Sequence, residues 1–120
     1  RLKDAVTTAL EGNLGARGTA PIVMCHISHV YPAGASLYFT VVAALTDDPL
    51  AQWADAKAAA SRAIAAAGGT ATHHHAVGRD HLEGLTAEIG ALGIEVLRGV
   101  KRTLDPQGIM NPGVLVPDRT

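Results

Sequence analysis

The alternation of apolar and polar positions predicts two strands joined by a tight turn. Residues 21–30 (PIVMCHISHV) are rich in β-branched and apolar side chains, and residues 36–45 (SLYFTVVAAL) alternate between two faces. Between them, Tyr31-Pro32-Ala33-Gly34 has the composition of a turn, because proline fixes one backbone angle and glycine relaxes the next. One face of the second strand is expected to be core and carries Leu37, Phe39, Val41 and Ala43. The other face begins with polar residues and is expected to border a ligand cavity; it carries Ser36, Tyr38, Thr40 and Val42.

Apolar residues at helical spacing predict three helices. The first covers Arg1 to about Glu11 and is followed by a glycine-rich connector over 12–18. The second begins after Asp47-Asp48-Pro49 and runs to about Ala67, where two glycines end it. The third covers about Leu85 to Leu104 and ends at Asp105-Pro106. The predicted apolar faces are Trp53, Ala56, Ala60, Ala63, Ile64 and Ala67 on the second helix, and Leu85, Ile89, Leu92, Val96, Val100 and Leu104 on the third.

This order of elements predicts an α+β fold with an antiparallel sheet flanked by helices. A short extended segment is expected over Thr70–His75, and the tail 106–117 (PQGIMNPGVLVP) is irregular, apolar and expected to pack. Two long strands make a poor sheet alone, so we expect further strands outside this chain. The 120 residues fit at most one domain and begin at Arg1 without an initiator methionine, as a piece of a longer protein would.

Composition narrows the function. Apolar residues make up 48% of the chain but aromatics only 3%, so the core is built from small side chains. A net charge of −1 with no basic patch argues against a nucleic-acid partner. No apolar run approaches the roughly 18 residues of a transmembrane helix. The single cysteine, Cys25, cannot form an internal disulfide, which suits a cytoplasmic location, with association to a membrane left open.

Three adjacent histidines, His73, His74 and His75, lie inside the stretch GGTATHHHAVGRDH. In an extended segment His73 and His75 would share one side and His74 the other, so the three rings do not converge easily on a tetrahedral zinc ion. We therefore disfavour a zinc site built from the triplet alone. A mixed site that adds His26 or His29, and a hydrogen-bonded surface cluster, stay as alternatives.

Several features favour a ligand at the triplet instead. The segment Ala76-Val77-Gly78-Arg79 follows it as a tight turn of small residues, which allows the backbone to approach a flat ligand. Histidine moves protons near neutral pH, and arginine holds phosphate or carboxylate groups. Tyr38 lies on the polar strand face, where it is either a packing residue or a group that handles a proton.

These segments together resemble one family. The order SHVYPAGASLYF, a helix of about thirty residues, GGTATHHHAVG, and a helix ending LDPQGIMNPGVL is similar to the C-terminal cap region of FAD-linked oxidases of the vanillyl-alcohol-oxidase type. Among them the chain most resembles the alkyldihydroxyacetonephosphate synthases, from about His26 to Leu115. The tail motif is shared across FAD-linked oxidases, whereas the AGASLYF strand combined with HHHxVG is much more specific.

The resemblance implies an FAD enzyme that exchanges the acyl group of acyl-dihydroxyacetone phosphate for a long-chain alcohol, giving an ether-lipid precursor. Tyr38 matches the family's acid/base tyrosine, and the histidine triplet matches residues that line the flavin and substrate site. Ser36 stands where the family has a cysteine, which puts any role for a thiol there in doubt. The implied roles are catalytic for Tyr38, His73, His74 and His75, cofactor-binding for His74, His75, Asn111 and Gly113, and substrate-binding for Ser36 and Arg79, with no metal.

The implied partners are a phosphorylated, lipid-like substrate and the remainder of the same polypeptide, with a homodimer left open. The family's FAD pyrophosphate-binding domain is N-terminal, and nothing in these 120 residues matches it, so we expect this chain alone to be inactive. One alternative is an FAD-dependent D-2-hydroxyacid dehydrogenase acting on D-lactate or glycolate. Those enzymes carry GDGNLH on the corresponding strand, with a histidine where this chain has Tyr38, which disfavours them. The other alternative is a non-catalytic, histidine-rich binding module.

Overall fold

The predicted α+β fold is confirmed by a computed structural model, which describes residues 1–71 and 75–117. The helices and strands of that part of the chain are α1 (Leu2–Gly15), β1 (Ile22–Tyr31), β2 (Gly34–Val42), α2 (Pro49–Ala66) and α3 (Leu82–Leu104). The two strands form an antiparallel sheet. The chain divides into two units, Arg1–Gly69 and Thr70–Thr120, so the first holds α1, the sheet and α2, and the second holds α3 and the tail.

The core of the first unit lies where α1 and α2 meet one face of the sheet. Val6, Leu10, Leu14 and Ala56 are buried, and partly buried apolar residues pack around them. The sheet contributes Val23, Phe39 and Val41 to that packing, and Ala43 joins them directly after β2. The predicted core face is therefore confirmed for Phe39, Val41 and Ala43. Burying a valine or leucine side chain contributes roughly 1.5–3 kcal/mol, which makes the packing of α1 against α2 and the sheet the main stabilising contact of the unit.

Helix α1 is longer than the sequence predicts. It was expected to end near Glu11 but continues to Gly15, because Leu14 extends the spacing of Val6 and Leu10 and is buried to 3% exposure. That burial outweighs the cost of about 1 kcal/mol for a helical glycine. The chain then reverses at Gly18, whose φ is +73°, and the Thr19 hydroxyl donates a hydrogen bond to the Leu14 carbonyl at 3.0 Å.

The hairpin has the predicted turn and one irregularity. Ile22 pairs with Val42 and the register continues to Ser28 with Ser36, then shifts by one residue at a β-bulge containing His29. His29 has a φ of +52°. Strand β2 ends at Val42 rather than at Leu45, because the Ala44 carbonyl beyond it accepts a hydrogen bond from the Gln52 side chain instead of from a partner strand.

Helix α2 begins and ends as predicted, and most of its predicted apolar face is confirmed, since Ala56 is buried in the core and Ala60, Ala63 and Ile64 pack against it. The Asp48 carboxylate accepts a hydrogen bond from the Ala51 amide at 3.0 Å, and Gly68 follows the helix at a φ of +78°. Trp53 was placed wrongly on the core face: it is 61% exposed, and the Lys57 ammonium lies 5.5 Å from the centre of its ring. Gln52 is buried in its place, at 4% exposure.

Gln52 reaches the core side because it finds partners there. Its Nε2 donates to the Thr19 hydroxyl at 3.0 Å and to the Ala44 carbonyl at 2.9 Å, and its Oε1 accepts from the Thr46 amide at 3.2 Å. The side chain thereby ties the segment before β1 to the segment after β2.

In the second unit, α3 begins at Leu82, earlier than the predicted Leu85. The apolar stripe predicted on it is largely solvent-exposed, with Leu92 and Leu104 both at 79%, while the buried residue is Ile94. The helix is interrupted at Gly90, whose φ of +68° and ψ of +179° are not helical. The interruption changes the direction of Leu85 and Ile89 relative to the four later residues of the predicted stripe, so the six residues do not form one continuous face.

Half of the predicted extended segment before α3, residues 72–74, lies outside the described residues. Neither Thr70 and Ala71 nor His75 belongs to a strand in the part of the chain that is described. Thr70 and Ala71 are held to α3, because the Glu88 carboxylate accepts hydrogen bonds from the Thr70 hydroxyl at 2.9 Å and the Ala71 amide at 3.0 Å.

Candidate functional site

The sheet of the first unit has a second face that no helix of that unit covers. Antiparallel partners point to the same side of a sheet, so the register defines this open face. Its residues alternate with the core residues along both strands and are Ile22, Met24, His26 and Ser28 on β1 with Ser36, Tyr38, Thr40 and Val42 on β2. Apolar side chains at one end and hydroxyl and imidazole groups towards the hairpin give it an amphipathic character.

Tyr38 lies near the middle of the open face. Its side chain is 58% exposed, and its direct partner across the sheet is His26, which is also exposed. Met24 is its diagonal neighbour on β1 and is 50% exposed. The structure therefore presents a phenol beside an imidazole and a thioether on an accessible surface, where the phenol can donate or accept a proton.

Ser36 lies two residues before Tyr38 on the same face and is partly buried, opposite Ser28. The Ser28 hydroxyl is in turn 2.7 Å from His29 Nδ1, at the bulge. The structure thus places both predicted residues of the first unit, Ser36 and Tyr38, on the same face of the sheet.

The described part of the histidine segment belongs to the second unit. His73 and His74 lie outside the described residues, and His75 is exposed. After it the backbone takes left-handed angles at Ala76 and Gly78, with φ of +69° and +59°, and turns into α3. The predicted turn is therefore present. Gly78 adopts its left-handed angle at little cost because it has no Cβ, whereas Ala76 has a Cβ and is strained at this angle.

The turn after His75 is bonded to the tail that follows α3. Arg79 Nη2 donates a hydrogen bond to the Pro112 carbonyl at 2.8 Å, and the Leu115 amide donates to the Gly78 carbonyl at 3.1 Å. Two predicted cofactor residues, Asn111 and Gly113, flank Pro112, and both have positive φ, +46° and +68°. The structure thus brings Arg79, Asn111 and Gly113 together within the second unit. One N–H group of the Arg79 guanidinium is already used in the hydrogen bond to the tail.

The start of this tail is fixed by Asp105 at the end of α3. Its carboxylate accepts hydrogen bonds from the amides of Ile109 at 3.1 Å and Met110 at 2.9 Å and forms an ion pair with Lys101. The Lys101 ammonium also donates to the Met110 carbonyl. The hydrogen bond from Lys101 and those from the two amides hold the pKa of Asp105 below its ordinary value, against an opposing effect of burial.

Sequence reasoning missed three contributors to these surfaces, His26 and the ion pair of Lys101 and Asp105. His26 was considered only as a metal ligand, and its position opposite Tyr38 depends on a register that the bulge sets. Lys101 and Asp105 carry a signal that the sequence does show, since a lysine four residues before an aspartate at a helix end can bond the last turn and the following loop.

Two classes of feature are absent from residues 1–71 and 75–117. No group of three or more histidine, cysteine or acidic side chains there is arranged to hold a metal ion. None of the helices in that part of the chain combines the length and hydropathy needed to span a bilayer.

Comparison with known proteins gives a consistent match. A family model described as "FAD linked oxidases, C-terminal domain" matches residues 3–115. Alkyldihydroxyacetonephosphate synthase of Dictyostelium discoideum is 34% identical over 116 residues, which are 96% of this chain and 19% of the relative. The enzyme of the same name from Trypanosoma brucei brucei is 34% identical over 94 residues, which are 78% of this chain and 15% of the relative. The mitochondrial D-lactate dehydrogenase [cytochrome] of Arabidopsis thaliana is 43% identical over 49 residues, 41% and 9%. The chain spans at most about a fifth of the length of these curated relatives.

Proposed function

This chain belongs to the family of C-terminal domains of FAD-linked oxidases, and from that premise we propose that it is the substrate-side cap domain of an alkyldihydroxyacetonephosphate synthase-like flavoenzyme. The full protein would exchange the acyl group of acyl-dihydroxyacetone phosphate for a fatty alcohol, which gives an ether-lipid precursor. The observation that carries the proposal is Tyr38 on the open face of the sheet, in a chain that aligns over 96% of its length with a relative of that name.

The open face suits a flat, largely apolar cofactor ring. Ile22, Met24 and Val42 are all at least half exposed there, and Tyr38 lies between them and the hairpin hydroxyls. An apolar ring system placed on this face would cover those side chains and leave the phenol at its edge, a gain of roughly 25 cal/mol per Å² of apolar surface covered. The residues present therefore fit the FAD use that is typical of the family.

Each predicted residue has a role in this proposal. Tyr38 moves a proton of the substrate, and one of His73, His74 and His75 serves as a base or stabilises an oxyanion. Ser36 faces the same side as Tyr38 and contacts the substrate. Arg79 binds a substrate phosphate or carboxylate, and His74, His75, Asn111 and Gly113 approach the cofactor. Bound FAD would supply an electrophilic centre for the exchange without a net change in its oxidation state.

The remaining parts of the proposal concern the rest of the protein. A separate domain of the same polypeptide would bind the FAD pyrophosphate, and it would also supply strands beside β1 or β2, since both strands are long for a two-stranded sheet. We propose a cytoplasmic protein that meets its lipid substrates at a membrane surface.

The experiment is a direct assay of the full-length protein. Purified holoenzyme is incubated with palmitoyl-dihydroxyacetone phosphate and hexadecanol, and the alkyl product is measured by mass spectrometry. Product that requires FAD and disappears in Tyr38→Phe supports the proposal. A flavin-loaded protein that makes no alkyl product contradicts the synthase activity. A colourless protein that cannot be reconstituted with FAD contradicts both the synthase and the alternative, an FAD-dependent D-2-hydroxyacid dehydrogenase.

A second candidate is a D-2-hydroxyacid dehydrogenase, favoured by the 43% identity to the Arabidopsis D-lactate dehydrogenase over 49 residues. It is the weaker candidate because that match covers 41% of the chain, against 96% for the Dictyostelium synthase. Reduction of the flavin by D-lactate or glycolate, in a protein that forms no alkyl product, would establish it.

A further inference from the structure

We infer that His26 positions the hydroxyl of Tyr38 and receives its proton, which makes His26 a second component of the proton-handling site. The inference rests on the proposed function, since it assigns the partner of the tyrosine that the proposal places at the reacting atoms. The observation behind it is the direct pairing of His26 with Tyr38 across the open face of the sheet.

The register places the two side chains next to each other. Directly opposed residues of an antiparallel pair have Cβ atoms about 4.5–5.5 Å apart on one side of the sheet, within reach of two aromatic side chains. Both side chains are exposed, so each can change rotamer to meet the other. Among residues 1–71 and 75–117, neither side chain makes a hydrogen bond to another residue, so both are available to form one with each other.

The chemistry of a neutral phenol requires such a partner. When the Tyr38 oxygen takes a proton from the substrate, the bond from that proton to the substrate breaks and a new O–H bond forms. The original hydroxyl proton must then leave, and a neutral imidazole nitrogen is a suitable acceptor. The substrate keeps the electron pair of the broken bond and becomes an anion, while His26 becomes an imidazolium that later returns the proton to solvent. Charge and atoms therefore balance without an oxidant or reductant.

The other polar groups near Tyr38 serve less well. Ser28, Ser36 and Thr40 share the open face, but their hydroxyls do not take up a proton near neutral pH. His29, at the bulge, has its Nδ1 2.7 Å from the Ser28 hydroxyl. His26 is therefore the titratable group on the open face that is aligned with Tyr38.

Covering the face would favour a hydrogen bond between the Tyr38 hydroxyl and the His26 imidazole. Once substrate and cofactor exclude water from the open face, the phenol and the imidazole each need a hydrogen-bond partner, because an unpaired buried polar group costs about 1–3 kcal/mol. The register makes each of them the directly opposed polar side chain that is available to the other.

The test uses full-length holoenzyme with His26→Gln, His26→Ala, Tyr38→Phe and the control His29→Asn. Asparagine tolerates the positive φ at the bulge, so the control removes a neighbouring exposed histidine without straining the strand. We expect His26→Ala to lower kcat about 10- to 100-fold with little change in KM, and added imidazole to restore most of it. His29→Asn should stay within about 2-fold of the wild type in the same assay.

Two further measurements distinguish positioning from a structural effect. In the Tyr38→Phe background, His26→Gln should cause no further loss, since the two residues act as one unit. The ring signal of His26 in the NMR spectrum of histidine-labelled protein, identified by its absence in His26→Gln, should move on Tyr38→Phe, whereas that of His29 should not. This last readout needs no activity, so it tests the pair even if the wild type makes no alkyl product.

The outcomes separate the two proposals. A wild type without alkyl product contradicts the proposed function, and an unmoved His26 signal contradicts the inference. If His26→Gln and His26→Ala both keep a kcat within about 2-fold of the wild type, the inference about His26 is wrong. It is also wrong if His26→Ala retains its flavin but imidazole does not restore its kcat.

Discussion

Replacing Gln52 with alanine should lower the free energy of unfolding by about 3 kcal/mol. The side chain is 4% exposed and makes three hydrogen bonds, to the Thr19 hydroxyl, the Ala44 carbonyl and the Thr46 amide. Each such bond contributes about 1 kcal/mol, and the Ala44 and Thr46 backbone groups lose their partner when it is removed. The better helix propensity of alanine offsets only a few tenths of that loss.

The assay is urea-induced unfolding followed by circular dichroism, with Gln52→Met as the variant that keeps side-chain volume. A loss of similar size in both variants assigns the effect to hydrogen bonds rather than to a cavity. Gln107→Ala is the control, because Gln107 is exposed in the turn after α3, and it should change stability by less than about 0.5 kcal/mol.

A double-mutant cycle with Thr19→Val tests the assignment further. Thr19 Oγ1 accepts from Gln52 and donates to the Leu14 carbonyl, so the two substitutions should be non-additive by about 0.5–1.5 kcal/mol. The reasoning is refuted if both Gln52 variants lose less than about 1 kcal/mol, or if the cycle is additive.

Three other outcomes are expected. Tyr38→Phe should reduce alkyl exchange by about 10²- to 10⁴-fold while the flavin spectrum is retained, and an enzyme that keeps more than a tenth of its rate would contradict an acid/base role. Asp48→Ala should destabilise the protein by about 1 kcal/mol in urea unfolding, through loss of the hydrogen bond from the Ala51 amide, and Asp48→Asn, which keeps an acceptor, should recover most of it. Because the pKa of Asp105 is lowered in the fold, its stabilising effect is complete above the ordinary pKa of 3.8 and is lost as pH falls through the lowered pKa. Asp105→Asn should therefore make the free energy of unfolding less dependent on pH in that acidic range. An unchanged pH dependence would contradict the assignment.

The hairpin and the capped helix α2 could be predicted because local chemistry determines them. Alternation along β2 separates a packed face from an exposed one, and Asp48 with Pro49 marks a helix start that the structure confirms. The extension of α1 through Gly12 could not be predicted, since only contact with the rest of the core makes burial of Leu14 favourable. The burial of Gln52 where Trp53 was expected could not be predicted either, because it depends on hydrogen-bond partners that are distant in sequence.

The candidate site was predictable to a similar degree. The strand pattern places Tyr38 on a face opposite the core, and the structure confirms that position. The pairing with His26 was not predictable, because it depends on where the bulge falls, and a histidine at positive φ has no sequence signature. The bond from Arg79 to Pro112 joins residues 33 positions apart, which a linear pattern cannot reveal.

The bulge at His29 also governs how the hairpin tolerates insertions and deletions. With the turn fixed at Pro32 and Ala33, an unbulged ladder would align Ile27 with Tyr38 and carry His26 to the core face opposite Phe39. Removing His29 would leave Ser28 opposite Ser36 and Val30 opposite Ala35, which are the pairs already present. Deleting His29 would therefore leave every side chain of β1 on its present face of the sheet. Deleting one residue between Ile22 and Ser28 would instead move the side chains of part of β1 from the core face to the open face and the reverse.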